Sequence, residues 1–257
     1  MGRAKEIIVK VIPAKIANEF VKKHHYSGKV VPNSQLHFGC FLDEKLHGVM
    51  SYGNSMDKYK VSQTVKNTGW NEFIELNRMA FDEYLPKNSE SRCISISIKL
   101  IKKNAPHIKW IVSFADGSQC GDGAIYRASG FYLIGCRVNK QILEWNGKRI
   151  AKKTLDNENY PKINGKYYSR YLLETGKAKP LEGFQLKYVY LIDKTCKITV
   201  PILPFSKIDE MGAGMYKGKK ITLAERQQAA VAHLGEQLTT SQEGAFDATL
   251  PLNKTAN

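Results

Sequence analysis

Four consecutive pieces decide the fold: Phe73-Ile-Glu-Leu-Asn-Arg-Met-Ala-Phe81, Pro86-Lys-Asn-Ser-Glu-Ser91, Ile94–Lys103 and Trp110-Ile-Val-Ser-Phe-Ala115. The first is apolar with interspersed polar residues, a strand pattern. The second, led by proline, is a loop that ends in helix-capping residue types. Ile94–Lys103 reads as a helix with basic residues near its end, which suits the helix dipole. Its Ile-Ser-Ile-Ser-Ile alternation would also suit a strand. Trp110–Ala115 is a short apolar run of the buried-strand type, closed by Asp116-Gly117.

Working outward, residues 5–12 (KEIIVKVI) read as a strand, and Pro13 opens a helix with Ile16, Phe20 and Val21 at helical spacing, stopped at Ser27-Gly28. Gln35–Leu42 and Leu46–Tyr52, joined by Asp43-Glu44-Lys45, form a hairpin, and Asn54–Asn71 is a looser polar stretch. Downstream come a short helix (Gly123–Ser129), a strand (Phe131–Cys136) and closing strands at Lys187–Ile192 and Lys197–Leu203. This order predicts an α/β fold, a mixed central sheet flanked by helices. Beyond Pro204 the Gly-rich Met211–Lys220 reads as linker, Leu223–Leu238 as an isolated helix, and the end as disordered.

Charge narrows the partner. The 39 Lys and Arg against 24 Asp and Glu leave a net +15. Residues 221–257 hold two basic side chains and four acidic ones, so the first 220 carry 37 against 20, or +17. Such a surface seeks a polyanion, because each cation placed on a phosphate releases condensed counterions. Residues 137–179 concentrate it, with eleven Lys or Arg against four acids, interleaved with Trp145, Tyr160, Tyr167, Tyr168 and Tyr171. Absence of a long apolar run excludes a membrane span, and the charged N-terminus does not read as a signal peptide, so the expected location is cytoplasmic. Five widely spaced cysteines without a C-x-x-C pair predict reduced thiols rather than disulfides or a zinc site.

The motifs Glu75-Leu-Asn-Arg78-Met-Ala-Phe, Asn88-Ser-Glu-Ser-Arg92, Ser113-Phe-Ala-Asp116 and Ala124-Ile-Tyr126-Arg-Ala-Ser129-Gly-Phe, with His24-His-Tyr-Ser-Gly28 upstream, resemble the Mom family of phage DNA-modification proteins. The match runs in order from about residue 20 to residue 135, and continues more weakly through Tyr167-Tyr168 and Pro201-Ile-Leu-Pro204. The resemblance implies a core related to the GNAT N-acyltransferases and a basic C-terminal extension. It also implies conversion of adenine in double-stranded DNA to N6-carbamoylmethyladenine, protecting phage DNA from restriction in the host cytoplasm. Residues 1–204 would form the catalytic domain, with 137–204 as its DNA-gripping part and 205–257 as linker and tail. GNAT proteins cradle the coenzyme A pyrophosphate in a Gly-rich turn at a helix N-terminus. The matching stretch, Lys87–Arg92, contains no glycine, which leaves the donor open between a coenzyme A thioester and another acyl or aminoacyl carrier, including a tRNA.

Base modification needs a flipped base, a proton acceptor and a grip on the flanking phosphates. Asp116, at the end of a buried strand, is either the group that meets the adenine amine or a turn residue before Gly117. Tyr126 is a candidate general acid on the donor side, or a helix tyrosine packing on the sheet. Arg78, inside an apolar run, needs an anionic partner, with Glu75 the structural alternative to a ligand. His25 would relay a proton or cap its helix. Ser89, Ser91 and Arg92 are the candidates for the donor's phosphates. Lys148, Arg149, Lys152, Lys153 and Arg170 would contact DNA, while Tyr167 and Tyr168 would line its groove or stack on a base; a solvated basic face over core tyrosines is the alternative. A divalent metal gathered by His24, His25, His37, His47 and Asp116 has no supporting ligand motif, and none is assigned. Two other functions fit: a GNAT acyltransferase for a protein, tRNA or small-molecule amine, and a non-enzymatic DNA-binding protein.

Overall fold

The computed structural model describes residues 3–157 and 160–228. A 3-10 turn (Arg3–Glu6) leads into β1 (Ile8–Val11), α1 (Ala14–His24), and the hairpin β2 (Ser34–Leu42) and β3 (Lys45–Gly53). Asp43 and Glu44 turn that hairpin with φ of 49° and 62°, the left-handed pair that matches the twist of two antiparallel strands. Next come β4 (Phe73–Phe81), α2 (Ser89–Asn104), β5 (Trp110–Gly117), α3 (Ala124–Ala128) and β6 (Tyr132–Val138). After these lie β7 (Ile142–Trp145), β8 (Lys148–Ala151), α4 (Tyr168–Glu174), β9 (Ala178–Pro180) and β10 (Phe184–Leu191).

Seven strands form the main sheet, in the order β1-β2-β3-β4-β5-β10-β6. Every pair is antiparallel except β4 with β5. The expected mixed sheet flanked by helices is therefore present. The helix–strand ambiguity at Ile94–Lys103 resolves as helix, because Cys93, Ile94, Ser97, Ile98 and Ile101 share one buried face. Ser97 turns inward at no loss, since its hydroxyl bonds Tyr52 Oη at 2.7 Å. This helix packs on Ile111, Leu133, Leu186 and Tyr188 of the sheet. The opposite face takes α1, through Ala17 and Val21 on Val49 and Ala80. Ile16, expected on the buried stripe, lies 44% exposed; the small Ala17 lets the helix approach the sheet instead.

The polar stretch 54–71 is more ordered than its composition implies. It holds a short helix (Lys58–Ser62) and a two-residue strand (Val65–Lys66) paired with Lys197–Ile198. Val61 and Val65 cover Phe73, Trp110, Val112 and Val189 on the α1 side of the sheet. Of the expected closing strand Lys197–Leu203, only that two-residue pairing and a bridge from Leu203 to Leu133 form.

Two expectations about the C-terminal half are corrected. The basic segment is an insertion rather than an extension. Residues 139–183 form a three-stranded sheet, β9-β7-β8, with a small core of Leu143, Leu155, Leu172 and Ala178, after which β10 returns to the main sheet. Asn139 pins the neck, with Nδ2 donating to the carbonyls of Ile142 and Leu181. Nor is Met211–Lys220 a free linker: Ala213 and Met215 are buried, and Met215–Tyr216 pairs with Lys219–Lys220. The strap is tied to the fully buried carboxylate of Asp122, which accepts from Met215 N at 3.1 Å and pairs with Arg127 at 3.0 Å and Arg226 at 2.8 Å. Residues 223–228 are helical; the rest of the helix expected at 223–238, and the tail, lie outside the described residues.

Removing one partner of a buried ion triad leaves the other charges uncompensated. Asp122→Ala is expected to destabilise the chain by about 3–5 kcal/mol in urea unfolding, whereas Lys60→Ala, on an exposed ion pair with Asp57, should shift the midpoint little.

Candidate active site

Strands β4 and β5 run side by side only from Phe73↔Trp110 to Leu76↔Ser113. Beyond that point β4 follows β3 out to Phe81, and β5 follows β10 out to Gly117. The two strands therefore part, and a cleft opens in the middle of the sheet. Ser113 stands at its apex, fully buried, with Oγ donating to the Leu76 carbonyl at 3.0 Å. Hydrogen bonding there replaces the ladder that the parting removes.

The four sequence-predicted catalytic side chains collect around this cleft. Asp116 ends β5, and its carboxylate is held from several sides. Oδ1 accepts from Ser118 N at 3.0 Å, from Ser118 Oγ, and from Gln185 Nε2 at 2.8 Å; Oδ2 accepts from Gln119 Nε2 at 2.7 Å and Tyr26 Oη at 3.4 Å. That fills nearly all the lone-pair capacity of a carboxylate. The long contact to Tyr26 is the one a ligand would displace at least cost.

His25 follows α1, with Nδ1 2.8 Å from Ser27 Oγ. Burial, and then the positive charge of Arg78, lower its pKa to about 4, while Asp116 acts the other way. The imidazole is therefore neutral at physiological pH. Arg78 does not find the carboxylate partner expected of it. Its Nε donates to the Lys29 carbonyl at 2.9 Å and its Nη1 to that of Asn77 at 2.8 Å, and burial lowers its pKa. Backbone dipoles thus take the place of Glu75 as its fixed partners. Tyr126 is buried against Phe131 and Tyr188. Burial raises its hydroxyl to about 12, with a hydrogen bond to Ser113 opposing.

Three residues of the site went unrecognised in the sequence. Glu75 accepts from Ser55 Oγ at 2.6 Å, and burial raises its carboxyl above the usual range. Lys187 donates to Thr64 Oγ1 at 2.8 Å, and burial, then Arg137, lower its amine. Tyr26 reaches Asp116 from the helix end. An acid inside an apolar run was the available signal for Glu75, the same one that flagged Arg78. Lys187 and Gln185 gave none, since their strand partners Phe114 and Asp116 are about seventy residues away in the chain.

The predicted donor-binding side chains are already engaged. Ser89 is fully buried with its hydroxyl on the Pro86 carbonyl; Ser91 Oγ donates to the Asn88 carbonyl at 3.2 Å and Arg92 Nη2 to that of Lys5 at 3.1 Å. Glu90 occupies the first turn of α2, adding a negative charge where a phosphate would sit. These three side chains bond within and beside the turn that opens α2, and Arg92 Nε is buried without a partner. The four histidines do not converge either. His24 stacks on Phe20, His37 bonds Ser51 at 2.8 Å and His47 bonds Asp82 at 2.8 Å. Among the described residues no group of three metal-ligating side chains forms. The cysteines are free thiols, four of them buried, and no described helix is long and apolar enough to cross a membrane.

In the insertion, Lys148, Arg149 and Lys153 are exposed, Lys152 partly so. Tyr167 is exposed with Lys162 Nζ 4.7 Å from its ring centre. Tyr168 instead stacks on Tyr160 with ring centres 4.9 Å apart and meets the edge of Trp145, so it belongs to the insertion's core rather than to a groove. Arg170 pairs with Glu174 at 2.9 Å on an exposed turn. A surface hollow of about 390 Å³ is lined by Arg127, Phe131, Leu133, Ile202 and Phe205 and contains none of the polar cluster.

A model of the Mom protein family matches residues 6–207. The methylcarbamoylase Mom of Escherichia phage Mu is 38% identical over 133 residues, 51% of this chain and 55% of that protein; the chain thus spans about half the length of the curated relative it matches. Two solved acetyltransferases align at low identity. One, from Bacillus subtilis with CoA bound, is 10% identical at a TM-score of 0.39, covering 72% of this chain and 98% of that one. The other, the ribosomal-protein-S18-alanine N-acetyltransferase of Escherichia coli, is 9% identical at 0.40, covering 73% and 94%.

A neutral buried histidine destabilises the fold only where the unfolded chain binds the extra proton. Unfolded His25 titrates near 6.5 and folded His25 near 4, so its contribution is complete above pH 6.5 and is lost as pH falls toward 4. NMR titration should therefore show the His25 ring unchanged from pH 8 to 6 and protonating near pH 4.

Proposed function

Because the chain belongs to the Mom protein family, we propose that it is a transferase that converts adenine in double-stranded DNA to N6-carbamoylmethyladenine. One observation carries the chemistry: a neutral imidazole, a buried carboxyl with raised proton affinity and a firmly held aspartate share the mouth of one cleft.

The exocyclic amine is a weak nucleophile and is stacked inside the duplex, so the base must leave the helix to react. Asp116 receives an amine proton in a hydrogen bond by displacing Tyr26, and so orients the base. As the nitrogen bonds to the transferred carbon, the bond from that carbon to the donor's leaving atom breaks. The amine proton passes to Glu75, whose proton affinity burial raises, or to the neutral imidazole of His25. Tyr126, held protonated by burial, supplies a proton to the leaving atom from the apex of the cleft. Burial, and then the charge of Arg78, keep His25 neutral. With a coenzyme A thioester or an aminoacyl carrier as donor, the nitrogen bonds to the acyl carbon and the carrier leaves as its thiol or hydroxyl. A glycyl unit placed in this way is an isomer of the carbamoylmethyl group, and becomes it when the adenine nitrogen moves to the methylene carbon and the glycyl amine takes its place on the carbonyl.

The insertion supplies the grip on phosphate. Lys148, Arg149, Lys152 and Lys153 face a polyanion with few competing acids. Modification of phage DNA in this way would shield it from host restriction enzymes.

Mass spectrometry of nucleosides from plasmid DNA, after expression of the chain in bacteria, tests the proposal. A heavier deoxyadenosine is expected with the wild type and is expected to vanish with Asp116→Ala. Glu75→Gln should lower the yield at least about tenfold, a modest share of the 10²–10⁴ typical of general base catalysis. Unaltered nucleosides from well-folded wild type would overturn the assignment. Duplex binding measured between 50 and 200 mM salt should weaken steeply, and Lys148→Ala with Arg149→Ala should flatten that slope.

A further inference from the structure

The stretch 54–71 leaves the main sheet between β3 and β4, beside the cleft. Its base is anchored in the site, since Ser55, itself buried, holds Glu75. Its middle is anchored in the core through Val61 and Val65. Between those anchors, Met56 is 60% and Tyr59 70% exposed. Trp70 is braced differently, with Lys58 Nζ 4.9 Å from its ring centre, and that amine also bonds Asn54 and Asn71. On its far side the stretch lies within electrostatic reach of the insertion, where the charge of Lys153 adds to that of Lys60 on Asp57. The segment thus lies between the cleft and the basic surface, on a rigid mount, with two large apolar side chains held out to water.

A rigid, well-anchored tip does not expose a methionine and a tyrosine for stability; both would gain by burial. Apolar wedges of this kind enter base steps and prise them apart. Resting on the DNA reading above, we propose that Met56 and Tyr59 form a wedge that fills the gap in the duplex when the target adenine turns into the cleft. A duplex held on Lys148, Arg149 and Lys153 with one base in the cleft must cross this tip. The exposed Lys66 on the same stretch suits a flanking phosphate. Trp70, pinned by Lys58, supports the tip rather than entering the DNA.

The test compares the full chain with the Met56→Ala, Tyr59→Ala double variant on two sets of mixed-sequence duplexes. In one set adenine is normally paired; in the other it faces an abasic position, where leaving the stack costs less. Binding is read by fluorescence anisotropy, and folding by thermal unfolding, which these exposed sites should leave unchanged. The double variant is expected to bind paired duplexes about tenfold more weakly and abasic ones within about twofold of wild type. Equal loss on both sets, or no loss on either, overturns the wedge while leaving the DNA reading intact. Wild type that binds neither set overturns the DNA reading, and the wedge with it.

Discussion

The parallel pairing of β4 with β5 ends at Leu76 and Ser113, and the rest of the molecule is arranged around that interruption. A sheet interior normally leaves no backbone group unpaired, so opening one requires that each strand keep a partner on its other side. β3 supports the free end of β4, and β10 supports the free end of β5. The serine hydroxyl at the fork closes the last gap. The cleft is thus held open by the strands on either side, β3 and β10, rather than by its own walls. This is why Asp116, Arg78 and Tyr126, far apart in the chain, can face one space without a loop having to position them.

Electrostatically, the cleft is a place where ionisable groups are drawn toward their neutral forms. Burial raises Glu75 and lowers His25, Arg78 and Lys187. The carboxylate of Asp116 is ringed by amide and hydroxyl donors. One anion well supplied with donors, beside groups reluctant to carry charge, separates the task of orienting a substrate from the task of moving its proton.

Much of the fold was legible because its elements are locally consistent. The period of two in the hairpin strands, the proline before α1 and the apolar run at Trp110 each name an element from a few neighbouring residues. Asp116 could be placed at the cleft for the same reason, since it ends a strand visible in the sequence, while Tyr126 was singled out by the likeness to GNAT enzymes. What depended on distant pairing was not legible. Asn139 as a neck, Asp122 as an anchor for the strap and Lys187 beside Phe114 all arise from contacts across many residues, and none leaves a local trace. The serines and arginine before α2 are ambiguous in the sequence because a turn that binds phosphate and a turn that satisfies itself use the same residue types. Tyr168 looked like a surface aromatic until the insertion proved to have a core of its own, which needs aromatic rings to fill it.

The route of the chain through the sheet has a consequence for how the molecule is made. β10 lies between β5 and β6, yet it is synthesised only after the whole of 139–183. Until it arrives, β5 and β6 each present a bare edge, and the strand that props the cleft open is missing. Because the insertion has its own small core, it can collapse early and shorten the path over which the neck at Asn139 must close. Pairing that spans so much chain is slow, and unpaired edges invite association with other chains. The same architecture that supplies the central cleft makes assembly of the sheet a late event, completed by a single strand sliding into a slot already flanked on both sides.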